Sequence, residues 1–239
     1  MALNYDFEWG LLLENPHKEW IIEGLAHTVG LSLTAWVIAL IIGILIGTIR
    51  MTQSPLLRFI GTAYVEFFRN IPLLVQLFIW FFVFPLMLPN DLMFAWNRLP
   101  HVPLITALLA LSLFTAARVA EHIRAGISSI PKGQFDAARS SGLTQVQMYR
   151  HVIIPYAFRV MIPTITSEFL TVFKNSALTL TIGVAEITGA AKAIEAWSFH
   201  GIEAYTVASV TYMTTTATVV LFMGWLEHRL RIPGLIARK

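Results

Sequence analysis

The chain alternates a few long apolar runs with short charged stretches. Residues 25–49 are apolar with hardly a break. About 25 residues at 1.5 Å each exceed a hydrocarbon core of about 30 Å, which predicts a tilted membrane helix. Gly43 and Gly47 form a small-xxx-small face within it, suited to a close helix contact or simply to ordinary glycine usage. The next apolar region, 59–88, is interrupted by Glu66, Arg69, Asn70 and Pro72. A straight lipid-facing helix does not tolerate these, since a mid-bilayer charge costs roughly 2.5–3.5 kcal/mol. The pattern therefore predicts an entry segment over 64–70, a break before Pro72 and a span over 73–88. Pro85, Pro89, Asn90 and Asp91 close it, and a connection leads on to Pro103. A third span covers 104–119 and continues through Glu121 and Arg124. A fourth covers 152–182, punctuated by Arg159, Pro163, Glu168, Lys174 and Asn175. Residues 183–203 are mixed, and the last span covers 204–225.

Between the third and fourth spans lies a polar stretch of a different kind, residues 121–155. Pro131 suits a helix start, and residues 134–141 place Phe135 and Ala138 on one face, with Asp136 in the first turn. Gly142 stands where a left-handed C-terminal cap is wanted. Thr144 with Gln147 reads as a capping box opening a second short helix, which carries Val146 and Tyr149 and ends at Pro155. The result is a helix–Gly–helix hook between two hydrophobic spans.

Composition sharpens the class. The sequence is 56% hydrophobic and only 13% charged, about half the charge of a soluble domain. It reads as an all-α, polytopic membrane protein with five spans and a lipid bilayer as its solvent. The formal net charge of +3 is small, and in such a chain the basic residues set orientation rather than bind nucleic acid. The absence of cysteine excludes disulfides and thiolate chemistry. Asp6, Glu8 and Glu14 occupy the place of a signal peptide's positive start. Arg50 and Arg58, then Arg124, Lys132, Arg139 and Arg150, then Arg229, Arg231, Arg238 and Lys239 fall on one side. Only Lys18, Arg98 and Lys192 fall on the other. The positive-inside rule predicts an external N-terminal segment (1–24), a cytoplasmic hook (125–152) and a cytoplasmic basic tail (226–239). The whole is expected to form a single membrane domain, 1–239.

The hook carries a recognisable motif. Asp136-Ala137-Ala138, three residues, Gly142, nine residues, then Val152, Ile153, Ile154 and Pro155 resembles the EAA loop of bacterial ABC-importer permeases. Asp replaces Glu, and Val-x-Ile replaces Ile-x-Leu. The stretches around Glu66, Arg69, Asn70, Pro72 and Gln76, around Pro131, Gly133 and Gln134, and around Lys174, Asn175 and Ser176 are similar to the polar amino-acid branch of that family. The resemblance implies a type I importer permease. A second permease subunit, sister or identical, would complete the pore, and ATPase subunits carrying ATP and Mg would dock on the hook. An external amino-acid-binding protein would deliver the substrate to the bacterial inner membrane. Gln134, Asp136, Ala137, Ala138, Gly142 and Pro155 are then the ATPase-coupling residues. The residues agree with that division: no Gly-x-x-x-x-Gly-Lys-Ser/Thr loop is present, so ATP binds elsewhere.

Candidate substrate contacts lie inside the spans. Arg118 stands where the polar amino-acid branch has an aromatic, and a guanidinium grips carboxylates, which is similar to permeases for glutamate and aspartate. The competing reading pairs it with Glu121 or Glu168. Thr164, Ser167, Glu168 and Thr171 fall on one helical face. That face offers hydroxyls to carboxylates and Glu168 to an ammonium, or else serves helix packing. Gln76 is a candidate for the same cavity or for packing. Glu66, Arg69 and Lys174 read as gating or structural ion pairs. The dispersed histidines show no metal spacing. Paired intramembrane catalytic groups are missing, which excludes an intramembrane enzyme. A self-sufficient channel or secondary amino-acid carrier is the rival reading; it would transport without ATP.

Overall fold

A computed structural model describes residues 5–230, and every regular element among them is helical. In order these are α1 (His17–Ile49), α2 (Pro55–Asn70), α3 (Leu73–Phe78), α4 (Asn90–Asn97), α5 (Val102–Ser128), α6 (Lys132–Ser140), α7 (Gln145–Met148), α8 (Ile154–Ser176), α9 (Ile187–Ser198) and α10 (Gly201–Leu230). Three helices, His17–Ile49, Val102–Ser128 and Gly201–Trp225, are each long and apolar enough to cross a membrane. Two bent pairs, Pro55–Asn70 with Leu73–Met87 and Gln145–Ile182 with Ile187–Ser198, raise the number among the described residues to as many as five when each pair is counted as one broken span.

The boundaries differ from expectation in instructive ways. The first span begins at His17 rather than at residue 25. Pro16 precedes it and Glu19 sits in its first turn, where a carboxylate suits the dipole. Its 33 residues amount to roughly 50 Å, so the extra turns extend past the hydrocarbon core. The connection after Pro89 holds a helix, α4, with Asp91 in its first turn. The mixed stretch before the last span likewise holds α9. Pro155 does not end the hook's second helix. One wide π turn (Tyr149–Ile153) joins α7 to α8, and Pro155 takes the second position of α8, where its missing N–H is harmless. Within the basic tail, Arg229 places its guanidinium 5.5 Å from the Trp225 ring. Arg231, Arg238 and Lys239 lie outside the described residues.

The chain divides into two compact units whose boundaries fall inside α1, α5, α8 and α10. In the first unit (residues 1–37, 71–112 and 171–218), α9 packs on the start of α1. A Cβ on Gly24 would stand 3.0 Å from that of Ala190. Leu12, Ile187, Ala191, Ile194, Ala204 and Ala208 form its buried cluster. Two carboxylates are fully buried there, and both are satisfied. Glu186 caps α9 by accepting from the Gly189 N–H at 2.9 Å, and also accepts from the Tyr212 hydroxyl. Glu203 accepts from the Tyr5 hydroxyl and, at 2.8 Å, from the Glu8 N–H.

The second unit (38–70, 113–170 and 219–239) is built on a close crossing of α1 and α5. A Cβ at Gly43 would lie 2.6 Å from Val119 Cγ1, and one at Gly47 would lie 3.0 Å from Ile123. The small-xxx-small face is thus used, against the buried Ala116, Val119, Ala120 and Ile123. Replacing Gly43 with Val should therefore lower stability by about 1–3 kcal/mol. Gly30→Ala, on the same helix with nothing within 4 Å of a Cβ, should be neutral or slightly stabilising. Thermal unfolding in detergent compares the two, and equal shifts would contradict the crossing.

Candidate functional site

The long third span, α5, carries its charged residues at Arg118, Glu121, His122 and Arg124, a spacing that gathers them along one side over less than two turns. The opposite side packs on α1. This division produces two ion clusters within the second unit.

The inner cluster centres on Glu168 of α8, which is 4% exposed. Arg118 grips it side-on: Nε donates to Oε2 at 2.6 Å and Nη2 donates to Oε1 at 2.8 Å. His122 Nε2 lies 3.0 Å from Oε1. Such a carboxylate is stable in a span only because these partners surround it. Arg118 itself keeps 40% of its side chain exposed, and its guanidinium carbon lies 5.9 Å from the Phe114 ring centre. Two of its five N–H groups are engaged by Glu168. The remaining edge is a cation that a second carboxylate can meet bidentately.

The neighbouring cluster centres on Glu121. Arg50 Nη1 donates to its Oε2 at 2.6 Å and Arg124 Nη2 to its Oε1 at 2.5 Å, while Arg69 stands off at 3.7 Å. Gly61 lets the Arg50 stem pass close to α2, since a Cβ there would sit 2.7 Å from Arg50 Cγ.

The other sequence-predicted residues are distributed as follows. Thr164 and Ser167 are exposed on α8, and each hydroxyl donates to a backbone carbonyl one turn earlier, of Met161 at 2.8 Å and of Pro163 at 3.0 Å. The Thr164 oxygen keeps its acceptor capacity. Gln76 is buried in the first unit, where its amide donates to the Ile71 carbonyl at 2.8 Å. Thr171 and Lys174 also belong to the first unit, and Lys174 is exposed. Glu66 accepts from the Asn70 amide at 3.1 Å. The structure thus brings Arg118 to Glu168 and Arg69 near Glu121. Sequence reasoning weighed Glu121 only as a partner of Arg118, and it missed His122 beside Glu168 and Arg50 and Arg124 on Glu121. The one available signal was their position beside Arg118 and at the end of the first span.

The hook is closed by its own backbone. Gly142 adopts φ +76°, its N–H donates to the Arg139 carbonyl at 3.0 Å, and the Leu143 N–H donates to the Ala138 carbonyl at 3.3 Å. This is the paired bonding of a Schellman cap. Thr144 then opens α7 with both halves of a capping box: its N–H donates to Gln147 Oε1 at 2.9 Å, and the Gln147 N–H donates back to its hydroxyl at 3.4 Å. Ala138 and Met148 turn inward and are buried, while Gln134, Asp136, Ala137 and Val146 face outward. Phe135 and Tyr149 meet edge to face at 6.5 Å.

Comparison with known proteins places this arrangement. The model of the family described as "Binding-protein-dependent transport system inner membrane component" matches residues 39–232. The chain is 38% identical to the glutamate/aspartate import permease protein GltJ of Escherichia coli strain K12, over 99% of this chain and 100% of that protein. It is 30% identical to the glutamate/aspartate import permease protein GltK of Escherichia coli O6:H1, over 94% and 99%. Among solved structures it superposes on an amino acid ABC transporter crystallised with histidines, with a TM-score of 0.82 and 30% identity, covering 94% of this chain and 100% of that one.

The unequal exposure of the ion pair predicts unequal mutants. Arg118→Gln leaves a buried carboxylate with His122 alone. Glu168→Gln leaves a cation that is already partly exposed. The first should unfold at lower temperature than the second, and the pair should be coupled by about 1–3 kcal/mol in a double-mutant cycle read by thermal unfolding. Additive shifts would contradict the pairing.

Proposed function

Because the chain belongs to the binding-protein-dependent transport system inner membrane component family, we propose that it is the permease subunit of an importer for acidic amino acids, glutamate and aspartate in particular. It is a multi-pass membrane transport subunit and not an enzyme; hydrolysis of ATP belongs to a separate subunit. The observation that carries the substrate reading is Arg118: a half-exposed guanidinium inside a span, aligned by Glu168, with one donor edge uncommitted. That edge takes the side-chain carboxylate of the substrate. The Thr164 oxygen, with its proton committed to a backbone carbonyl, suits an ammonium better than a carboxylate. Glu168 then aligns Arg118 rather than meeting the substrate. Gln76 is assigned to the substrate path and Glu66, Arg69 and Lys174 to gating, as their place near the broken spans suggests. The 38% identity to a glutamate/aspartate permease supports the substrate class.

Further elements of the reading follow from the hook. Gln134, Asp136, Ala137, Ala138, Gly142 and Pro155 form or brace the surface on which an ATPase subunit, holding ATP and Mg, docks from the cytoplasm. The N-terminus is external and the C-terminus cytoplasmic in this reading, which the Lys/Arg distribution supports. An external binding protein supplies substrate. A sister permease completes the pore, since relatives named for the same glutamate/aspartate import come as two different permease proteins.

Reconstituted with its partners, the complex should show ATPase activity stimulated by glutamate and aspartate above other amino acids. Arg118→Tyr should reduce that stimulation by tenfold or more, roughly one charge-assisted contact. Retention of the acidic preference would overturn the assignment. At the hook, Gly142→Asp forces a side chain into left-handed backbone at roughly 1–2 kcal/mol and sets an anion at a helix C-terminus. Uptake should be lost while the subunit still inserts in the membrane; normal uptake would show that the joint does not transmit force.

A further inference from the structure

The segment before α1 is held on the first turn of α10 by a buried carboxylate with a histidine beside it. Glu203 is fully buried in that turn and takes two hydrogen bonds from the segment. The Tyr5 hydroxyl donates to its Oε2, and the Glu8 N–H donates to its Oε1 at 2.8 Å. His200 stands just before the turn. Its Nδ1 lies 3.4 Å from Glu203 Oε1, and its Nε2 lies 3.3 Å from Glu8 Oε2. The Tyr5 ring meets the imidazole edge to face at 6.0 Å. The imidazole is thus set between two carboxylates. One belongs to α10 and is buried; the other belongs to the segment, with 70% of its side chain exposed.

A neutral ring cannot satisfy both. It carries one N–H and one lone pair, and an ionised carboxylate only accepts. Whichever tautomer forms, one nitrogen turns a lone pair towards an oxygen. Nδ1 is buried close to Glu203 and makes no hydrogen bond. A second proton places an N–H on each side of the ring and a positive charge between the two anions. The other titratable groups nearby are engaged elsewhere. Glu195 of α9, close to Gly201, accepts from the Tyr205 hydroxyl at 2.6 Å. His17 of α1 packs against Trp20 and Trp197 and faces the Leu11 carbonyl. Among the described residues no lysine or arginine pairs with Glu8 or Glu203.

We propose that His200 is a proton-operated clasp for the N-terminal segment. The charged ring ties Glu8 to Glu203 and seats residues 5–8 on α10. The neutral ring leaves the segment on its two hydrogen bonds to Glu203. Acidification therefore adds a tie and basification removes it, across about pH 5–8, where histidine changes charge. Tyr5 also walls an open groove of about 700 Å³ that Phe199, Ile202 and Tyr205 line, so loosening the clasp widens that groove.

The test is hydrogen–deuterium exchange of the full subunit with its partners in detergent. Exchange is read over residues 6–13 in steps across about pH 5–8 and corrected for the intrinsic rate. Protection should be about two- to fivefold greater at the acid end, the worth of a partly exposed ion pair. His200→Gln keeps a polar side chain without the titration; its protection should be level and should match the wild-type protein at the basic end. Glu8→Gln changes an exposed side chain and leaves the Glu8 N–H on Glu203. It should keep the segment seated and lose most of the pH dependence. Level protection in the wild-type protein would overturn the proposal, as would a pH dependence that survives at full size in either variant.

Discussion

Every charge carried into an apolar span must find its counter-charge within reach, and this constraint shapes the second unit. α5 meets it by dividing its surface. Small and branched residues from Ala116 to Ile123 lie against Gly43 and Gly47, and this close crossing fixes the helix. The other side then holds Arg118, Glu121, His122 and Arg124 at a depth where Glu168 and Arg50 meet them. An isolated charge there would cost several kcal/mol, and pairing recovers most of that only when the geometry is good. The side-on fork between Arg118 and Glu168 has that geometry. The guanidinium that completes this pairing also keeps an exposed edge that Glu168 does not use.

The hook follows a different physics. It is short, polar and poor in buried apolar contacts, so its shape comes from backbone caps rather than from a core. Gly142 and the Thr144–Gln147 box satisfy the orphan groups on both sides of the joint. Its inward residues, Ala138 and Met148, are few. The outward ones present a mixed polar and apolar surface that suits a protein partner better than lipid.

What could be read from the sequence was local. The hook's glycine and capping box are signals within a few residues of each other, and they appear in the structure as read. The polar interruption at 66–72 also falls where α2 gives way to α3. Features set by distant partners were not legible. Arg50 and Glu121 are 71 positions apart, so nothing in either neighbourhood announces their bond. Glu186 and Glu203 fall in the stretch read only as mixed, yet both are buried acceptors serving α9 and the N-terminal segment. α4 was hidden because Pro89, Asn90 and Asp91 read as a stop, although the same residues also open a helix. The start of α1 was misplaced because a hydropathy criterion finds the apolar core of a helix and not its charged first turns. For Arg118, the ion pair with Glu168 weighed from sequence forms, and a donor edge of the guanidinium is still left over.

The capped joint has a further consequence for assembly. A segment whose backbone is already satisfied has little conformational freedom left to surrender when a neighbour arrives. A partner that docked on the hook would therefore meet a rigid body, with an association rate governed by surface charge and salt rather than by folding of the loop. A joint capped in this way would also yield little under load, and a displacement applied at its outer face would reach α8 rather than be absorbed as local bending.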